Sequence, residues 1–451
     1  MFKKVSITVL VLSQFLSGAY AQSCTPDQQG MSAAAMIEKS MREFNRTQFG
    51  SALAQRAQAG SLVSLRSDAI SGELSVSHPD FAKSRDFAYA KALVNVQAKF
   101  ILRKRTQTEA EILTEKYNAE PSSADLKFTD KYVSDEWLRI GDKALRLTEA
   151  QLDNALREEG VSESDIQGAT RQKRVDLFRS SITRSSSRSA FGAAAGIIPV
   201  KSFEAVDCDG RAAVSILAVY SEKNREFIAS ILEGQSMRPN SSNAATTPFE
   251  NRIEAEIDDE SIVYEWGIRK LYDTTGLPLL ASYGQWGYVP ESGQPKANER
   301  KRSSALNQAE AGAIEQLTLF LDGQANFRNE TSKEEFANSY IEVTQNSEGT
   351  SEVERDISEI IERSTEKFRT RGSVRLTGIS DPIHWDLPYP HEAAQSNVVG
   401  AVIYWSPRAE DAINLATGRK ADRVVVETPK PAVQGEAQST GSKVKNNVDD
   451  F

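Results

Sequence analysis

Three histidines and two cysteines in 451 residues leave few groups from which to build a metal centre or a histidine-dependent active site. The densest set of candidates is DPIHWDLPYPHEA, residues 381–393, where His384, Asp386, His391 and Glu392 could all ligate a metal. The gap between its histidines matches neither an i, i+4 helical pair nor a zinc-ligand spacing, and no cysteine lies nearby. A Pro/aromatic hairpin loop carrying ordinary surface histidines is the better reading. A catalytic serine needs a base held by a third group, yet G-x-S-x-G is absent and His78 stands isolated beside Pro79. GAAAG at 192–196 lacks the lysine and the spacing of a phosphate loop and reads as a turn between helix and strand. The 63 acidic residues leave a carboxylate pair for glycoside hydrolysis open without singling one out. Glu254, Glu256, Asp258, Asp259 and Glu260 read as the solvated face of a helix. Arg171, Lys173, Arg174, Arg179, Arg184 and Arg188 read as a solvated face paired with acids rather than as an anion patch. Tyr283, Trp286 and Tyr288, in YGQWGY, would suit sugar or protein contacts if exposed, but packing against the helix that follows is favoured. No catalytic, cofactor-binding or metal residue is assigned, and no cofactor is expected.

The charge and the first residues say more about place than about chemistry. A net charge of -9 and a pI near 5.3 argue against nucleic acid as a partner, because phosphate neutralisation needs a basic face. Lys3 and Lys4 precede an apolar run from Val5 to Leu16, and Ala19 and Ala21 occupy the small-residue positions of a cleavage site. This pattern predicts a signal peptide over residues 1–21, cut between Ala21 and Gln22, and a periplasmic or secreted product. The run is shorter than the ~20 residues that span a bilayer, and no other apolar stretch reaches that length, so no transmembrane span is expected in the mature chain. Gln22 fits poorly in a lipoprotein signal ahead of Cys24. In an oxidising compartment Cys24 and Cys208 are instead a candidate disulfide.

Hydrophobic periodicity then sets out the elements. Residues 31–58 read as helix, 61–78 as short strands and 81–118 as one long helix. Polar helices are predicted near 130–158 and 162–190, paired strands at 197–206 and 212–220, and a short helix at 222–233. QSMRPNSSNAATTP, residues 235–248, has no period and reads as a linker, placed over 235–250. The order then recurs: helix 251–272, strand 277–288, long helix 298–322, polar helices 331–344 and 351–369, strands 372–380 and 397–405, and a helix from 407. Residues 90–101 align with 310–321, matching Phe100 to Phe320. Residues 212–221 align with 397–406, matching Tyr220 to Trp405 and Ser221 to Ser406. Each serine ends a strand where it can cap the next helix, and Pro407 fits the first helical position. The expected fold is α+β: two similar units, 22–234 and 251–426, each a small antiparallel sheet packed by a long helix, with polar helical insertions. Residues 427–451 carry no buried pattern and read as a disordered tail.

An exported chain with long Ala-rich helices opening near basic residues (85–101 and 300–321) and a closing strand VVGAVIYWSP resembles bacterial cell-envelope domains. These are the amino-terminal domain of flagellar assembly protein T and the lipoprotein-20-like domains. The resemblance implies a small α+β domain that works in assembly or scaffolding without an active site. The expectation is an exported, non-enzymatic envelope protein with a structural, assembly or binding role, its partners envelope proteins or polysaccharide. The alternative is a hydrolase acting on envelope polymer, which would need a concave pocket holding convergent carboxylates or the histidines of 384–392.

Overall fold

The computed structural model describes residues 28–117, 140, 144, 147–346, 350–372, 374–391 and 394–425. The expected signal segment, Cys24, Glu392 and the 427–451 tail lie outside the described residues. The elements form two antiparallel four-stranded sheets, each covered by one long helix, which is the α+β architecture expected.

In the first unit, β1 (Val63–Arg66) and β2 (Ile70–Ser75) pair in succession along one edge of β4 (Arg211–Tyr220), and β3 (Ile197–Val206) pairs along the other. In the second, β5 (Gly267–Tyr272), β6 (Pro278–Tyr288), β8 (Asn397–Trp405) and β7 (Ile383–Pro388) lie in the order β5-β6-β8-β7. In each sheet an interior strand, β4 or β8, lies between its hairpin partner and a strand that precedes the long helix. Near-continuous apolar runs suit strands buried on both faces, and both of these are such runs.

The long helices are α3 (Phe81–Tyr117) and, counting on in chain order past α4 (Glu149–Glu158), α5 (Glu163–Ile166), α6 (Arg171–Ala193), α7 (Glu222–Glu233) and α8 (Phe249–Asp258), α9 (Pro295–Arg328). Ala305, Ala309 and Ala313 recur every four residues on α9 and are buried against the sheet. The approach is so close that a Cβ at Gly284 of β6 would overlap the backbone of Ala309 and Ala313. Two helical insertions, α10 (Glu330–Asn346) and α11 (Thr350–Arg371), reach back from the second unit to pack on α6 and α3. Phe191 of α6 stacks on Phe336 of α10 at 4.4 Å, so the two units share one core. The final helix is α12 (Pro407–Ala416). Ser221 Oγ accepts the Asn224 N–H at 3.1 Å and Ser406 Oγ accepts the Ala409 N–H at 3.1 Å, matching N-caps at the two strand exits.

Several elements differ from the sequence expectation. The helix over 31–58 is two, α1 (Ala33–Phe44) and α2 (Gln48–Gln58), because Thr47 Oγ1 accepts the Gly50 N–H and starts the second afresh. The helix over 162–190 breaks at Gly168, which takes φ +82°. The helix over 251–272 ends at Asp258, and Gly267–Tyr272 is a strand. Arg269 and Lys270 gave that strand a solvated look, but both are buried. Arg269 donates to Ser202 and Glu265, and Lys270 to Asn224. The described residues of 372–380 form no strand beyond a single bridge at Ile379, and the hairpin partner of β8 is IHWDLP, inside the supposed Pro-rich loop. Its prolines flank or end an edge strand, where a missing N–H breaks no ladder. The 235–250 linker is tied down: Met237 bridges Val424, and the Asn240 N–H donates to the Gly276 carbonyl at 3.1 Å.

Candidate functional site: an apolar cleft between the units

Where α3, α9, α11 and β5 converge they leave a cleft of about 270 Å³. One stripe of α3 lines it, with Phe87, Ala90, Lys91, Val94 and Gln97 at helical spacing. Opposite stand Leu319, Phe320 and Gly323 of α9, Ile361 and Glu362 of α11, and Trp266 and Ile268 beside or within β5. Its walls are mainly apolar. Among its polar lining residues are Gln316, whose amide reaches the Tyr283 carbonyl and Trp266 Nε1, and Gln97, 7% exposed, whose side-chain amide has no hydrogen-bond partner among the described residues. The Gln97 amide atoms are open to the cleft, where an entering group meets both a donor and an acceptor. Gly323 adds room, because a Cβ there would meet nothing within 4 Å.

The floor beside the cleft is a buried polar cluster that joins the units. Trp266 stacks on Tyr89 at 4.8 Å and donates through Nε1 to Asp86 Oδ1 at 2.8 Å. Burial pushes Asp86 up to about 7, against the pull of Arg85 and that hydrogen bond. Arg85 itself donates to Glu204 of β3, to Gln285 of β6 and to the Val263 carbonyl. Glu204 also accepts the hydroxyls of Tyr89 at 3.0 Å and Tyr389 at 2.8 Å.

A second cleft, about 360 Å³, lies between Phe44, Phe49 and Lys201 of the first unit and α8 and β5 of the second. Glu256, expected on a solvated helix face, instead lines this cleft, and its Oε2 is buried without a hydrogen-bond partner. Burial, then the nearby Glu265 carboxylate, pushes Glu256 up to about 8, with Arg252 and Arg269 opposing. Glu265 is ion-paired with Arg269 at 3.0 Å.

Both acids bear on stability. Unfolded, Asp and Glu titrate near 3.9 and 4.3. Their folded values are raised, so the folded state holds protons that the unfolded state has lost, and stability falls as pH climbs from about 4 towards 7–8. Asp86→Asn and Glu256→Gln should each flatten that decline, as read from melting temperatures between pH 4 and 8. Variants that melt in parallel with the wild type across the window would show that these groups are not the source.

The other sequence candidates do not converge. His384 pairs with Glu310 of α9 at 3.4 Å on an exposed edge. Asp386 accepts from Arg302 at 2.7 Å and from Tyr288 at 3.1 Å, which fastens β7 to α9 and β6. His391 lies in the turn past Tyr389, away from that pair along the chain. Among the described residues no group of three His, Cys, Asp or Glu could hold a metal ion. The α6 arginines meet acids, Arg174 with Asp153 at 3.1 Å and Arg188 with Glu334 at 3.2 Å. Trp286 and Tyr288 pack against Leu306 and the alanine face of α9. No described helix is long and apolar enough to cross a membrane.

Residues 137–233 match a family described as a domain of unknown function, DUF6844. No curated protein matches the chain. A crystal structure of a hypothetical protein from Francisella tularensis superposes with a TM-score of 0.53 at 19% identity, over 87% of this chain and 96% of that one. The likeness is one of fold.

Proposed function

We propose that this is an exported, non-enzymatic envelope protein with a binding role, and that the cleft between α3, α9, α11 and β5 is its binding site. The observation that carries this reading is Gln97, whose amide makes no hydrogen bond to the described residues and faces a mainly apolar, partly enclosed cavity. Such cavities with one or two placed polar groups are the usual form of small-molecule sites. The test uses the neutral dye N-phenyl-1-naphthylamine. It should brighten on the wild-type protein and not on Gly323→Leu, which projects a side chain into the cleft. That variant should keep its melting temperature, since a Cβ at this helical glycine meets nothing within 4 Å and leucine is the better helix former. Equal brightening on both proteins, or none on the wild type, would remove the cleft from consideration.

Export is supported by Lys3, Lys4, the apolar run and the Ala19–Ala21 site. The disulfide is supported by position. Cys208 Sγ lies 3.5 Å from the Gln28 carbonyl oxygen, and Cys24 is only four residues upstream, a reach of up to about 14 Å. Protein taken from cells without reductant should begin at Gln22 and yield a Cys24–Cys208 linked peptide. A chain beginning at Met1, or two alkylatable thiols, would contradict this.

A second reading, a hydrolase of envelope polymer, draws on Glu256 and Glu265. A carboxyl whose pKa is raised by burial, near a second carboxyl, is a pairing that glycoside hydrolysis uses. Release of soluble fragments from envelope polymer by the wild type but not by Glu256→Gln would favour it.

A further inference from the structure

We infer that the cleft takes a single-chain anionic amphiphile of medium length, its head at Lys91 and a neutral hydrogen-bonding group of its chain at Gln97. This rests on the cleft being the binding site and adds what kind of molecule enters it. Size comes first. A cavity of about 270 Å³ lies at the small end of ligand pockets, which suits one aliphatic chain better than two. The walls come second. Leu93, Val94, Ile216, Leu319 and Phe320 offer no charge to a group lying among them. Arg269, which also borders the space, spends its guanidinium on Ser202, Glu265 and the Ile268 carbonyl. Burying each methylene of a chain there is favourable by about 0.8 kcal/mol.

The mouth decides the sign of the head. Phe87, 52% exposed, extends the apolar surface outward, and the Lys91 ammonium lies over its ring at 4.3 Å. Among the described residues no carboxylate comes within ion-pair distance of Lys91, so its donors are open to an incoming anion. The two acids at the mouth are less available to a cation. Glu366 pairs with Arg369 at 3.7 Å. Partial burial raises Glu362 above the ordinary carboxylate range, against the pull of Lys91. Lys91 and Gln97 stand six residues apart on one helix, a rise of about 9 Å. A polar group on the chain about that far from the head would meet the Gln97 amide, which can both donate and accept.

The experiment measures displacement of N-phenyl-1-naphthylamine from the full mature chain by decanoate, decanol and decyltrimethylammonium, each below its micelle concentration. Decanoate should displace the dye at about tenfold lower concentration than decanol, the effect of one charge-assisted hydrogen bond. Lys91→Ala should erase that preference while decanol displaces as before, and Lys91 is exposed, so its loss should not disturb folding. A 3-, 5- or 7-hydroxydecanoate should gain over decanoate on the wild type and lose the gain on Gln97→Leu. If decanol or decyltrimethylammonium displaces best, the anionic class is wrong while the cleft stands. If none displaces a dye that Gly323→Leu still excludes, the medium-chain assignment is wrong. A dye that never binds overturns the site itself, and with it this inference.

Discussion

Arg85→Met should cost about 3–5 kcal/mol of stability, the usual loss when one partner of a buried ion pair is removed. Arg85 is 1% exposed, and its pair with Glu204 at 2.6 Å is equally buried. Burial disfavours the arginine's charge, but Glu204, with Tyr89 and Tyr389, outweighs that and holds its pKa above the ordinary value. Without the guanidinium, Glu204 would keep only two tyrosine hydroxyls, while Gln285 and the Val263 carbonyl would each lose a donor. These groups come from both units: α3 and β3 on one side, β6, the turn before β5 and the segment after β7 on the other. The loss should therefore appear as one lowered urea transition for the whole chain. Adding Glu204→Leu to Arg85→Met should cost less than the sum of the single changes, since no charge then remains buried alone. A single variant within ~1 kcal/mol of the wild type would show that the cluster is satisfied in some other way.

What the sequence disclosed, and what it hid, follows from where each residue finds its partners. The two central strands were legible because their buried runs are local, and so were the serines that cap the helices after them. Arg85 left a trace as well. It stands on the apolar stripe Ala82, Tyr89, Ala92 and Val96, where a charge without a buried partner would be costly. Nothing local names Glu204 as that partner, 119 residues on. β5 was hidden because Arg269 and Lys270 look solvated, and their acceptors Ser202 and Asn224 belong to the other unit. Glu256 looked like one more surface acid for the same reason, its cleft being closed by Phe44 and Phe49. Arg423 falls just before the unpatterned end of the chain, yet it is buried and donates to the carbonyls of Ser230, Ile231 and Gln235 at the end of α7. The apolar cleft had no signal at all. Gln97, Gly323 and Glu362 become neighbours only when three helices meet.

Phe100→Ala and Phe320→Ala should both be strongly destabilising, and their difference should report on the cleft. Phe100, 1% exposed, packs against Tyr220 at 4.7 Å, at the end of β4. Phe320 shares a core with Trp405, at the end of β8. Removing a buried phenylalanine costs about 3–5 kcal/mol, partly in lost transfer energy and partly in the void left behind. Phe100 is enclosed on every side and should fall high in that range. Phe320, 5% exposed, also borders the cleft, so part of its surface adjoins empty space and its cost should fall lower in that range. Its removal also lengthens the cleft. Dodecanoate should then gain on decanoate in dye displacement from Phe320→Ala, whereas Phe100→Ala should leave their order as in the wild type. Urea unfolding supplies the first comparison and displacement the second. Equal losses of stability together with an unchanged chain-length preference would mean that Phe320 is ordinary core and that the cleft ends short of it.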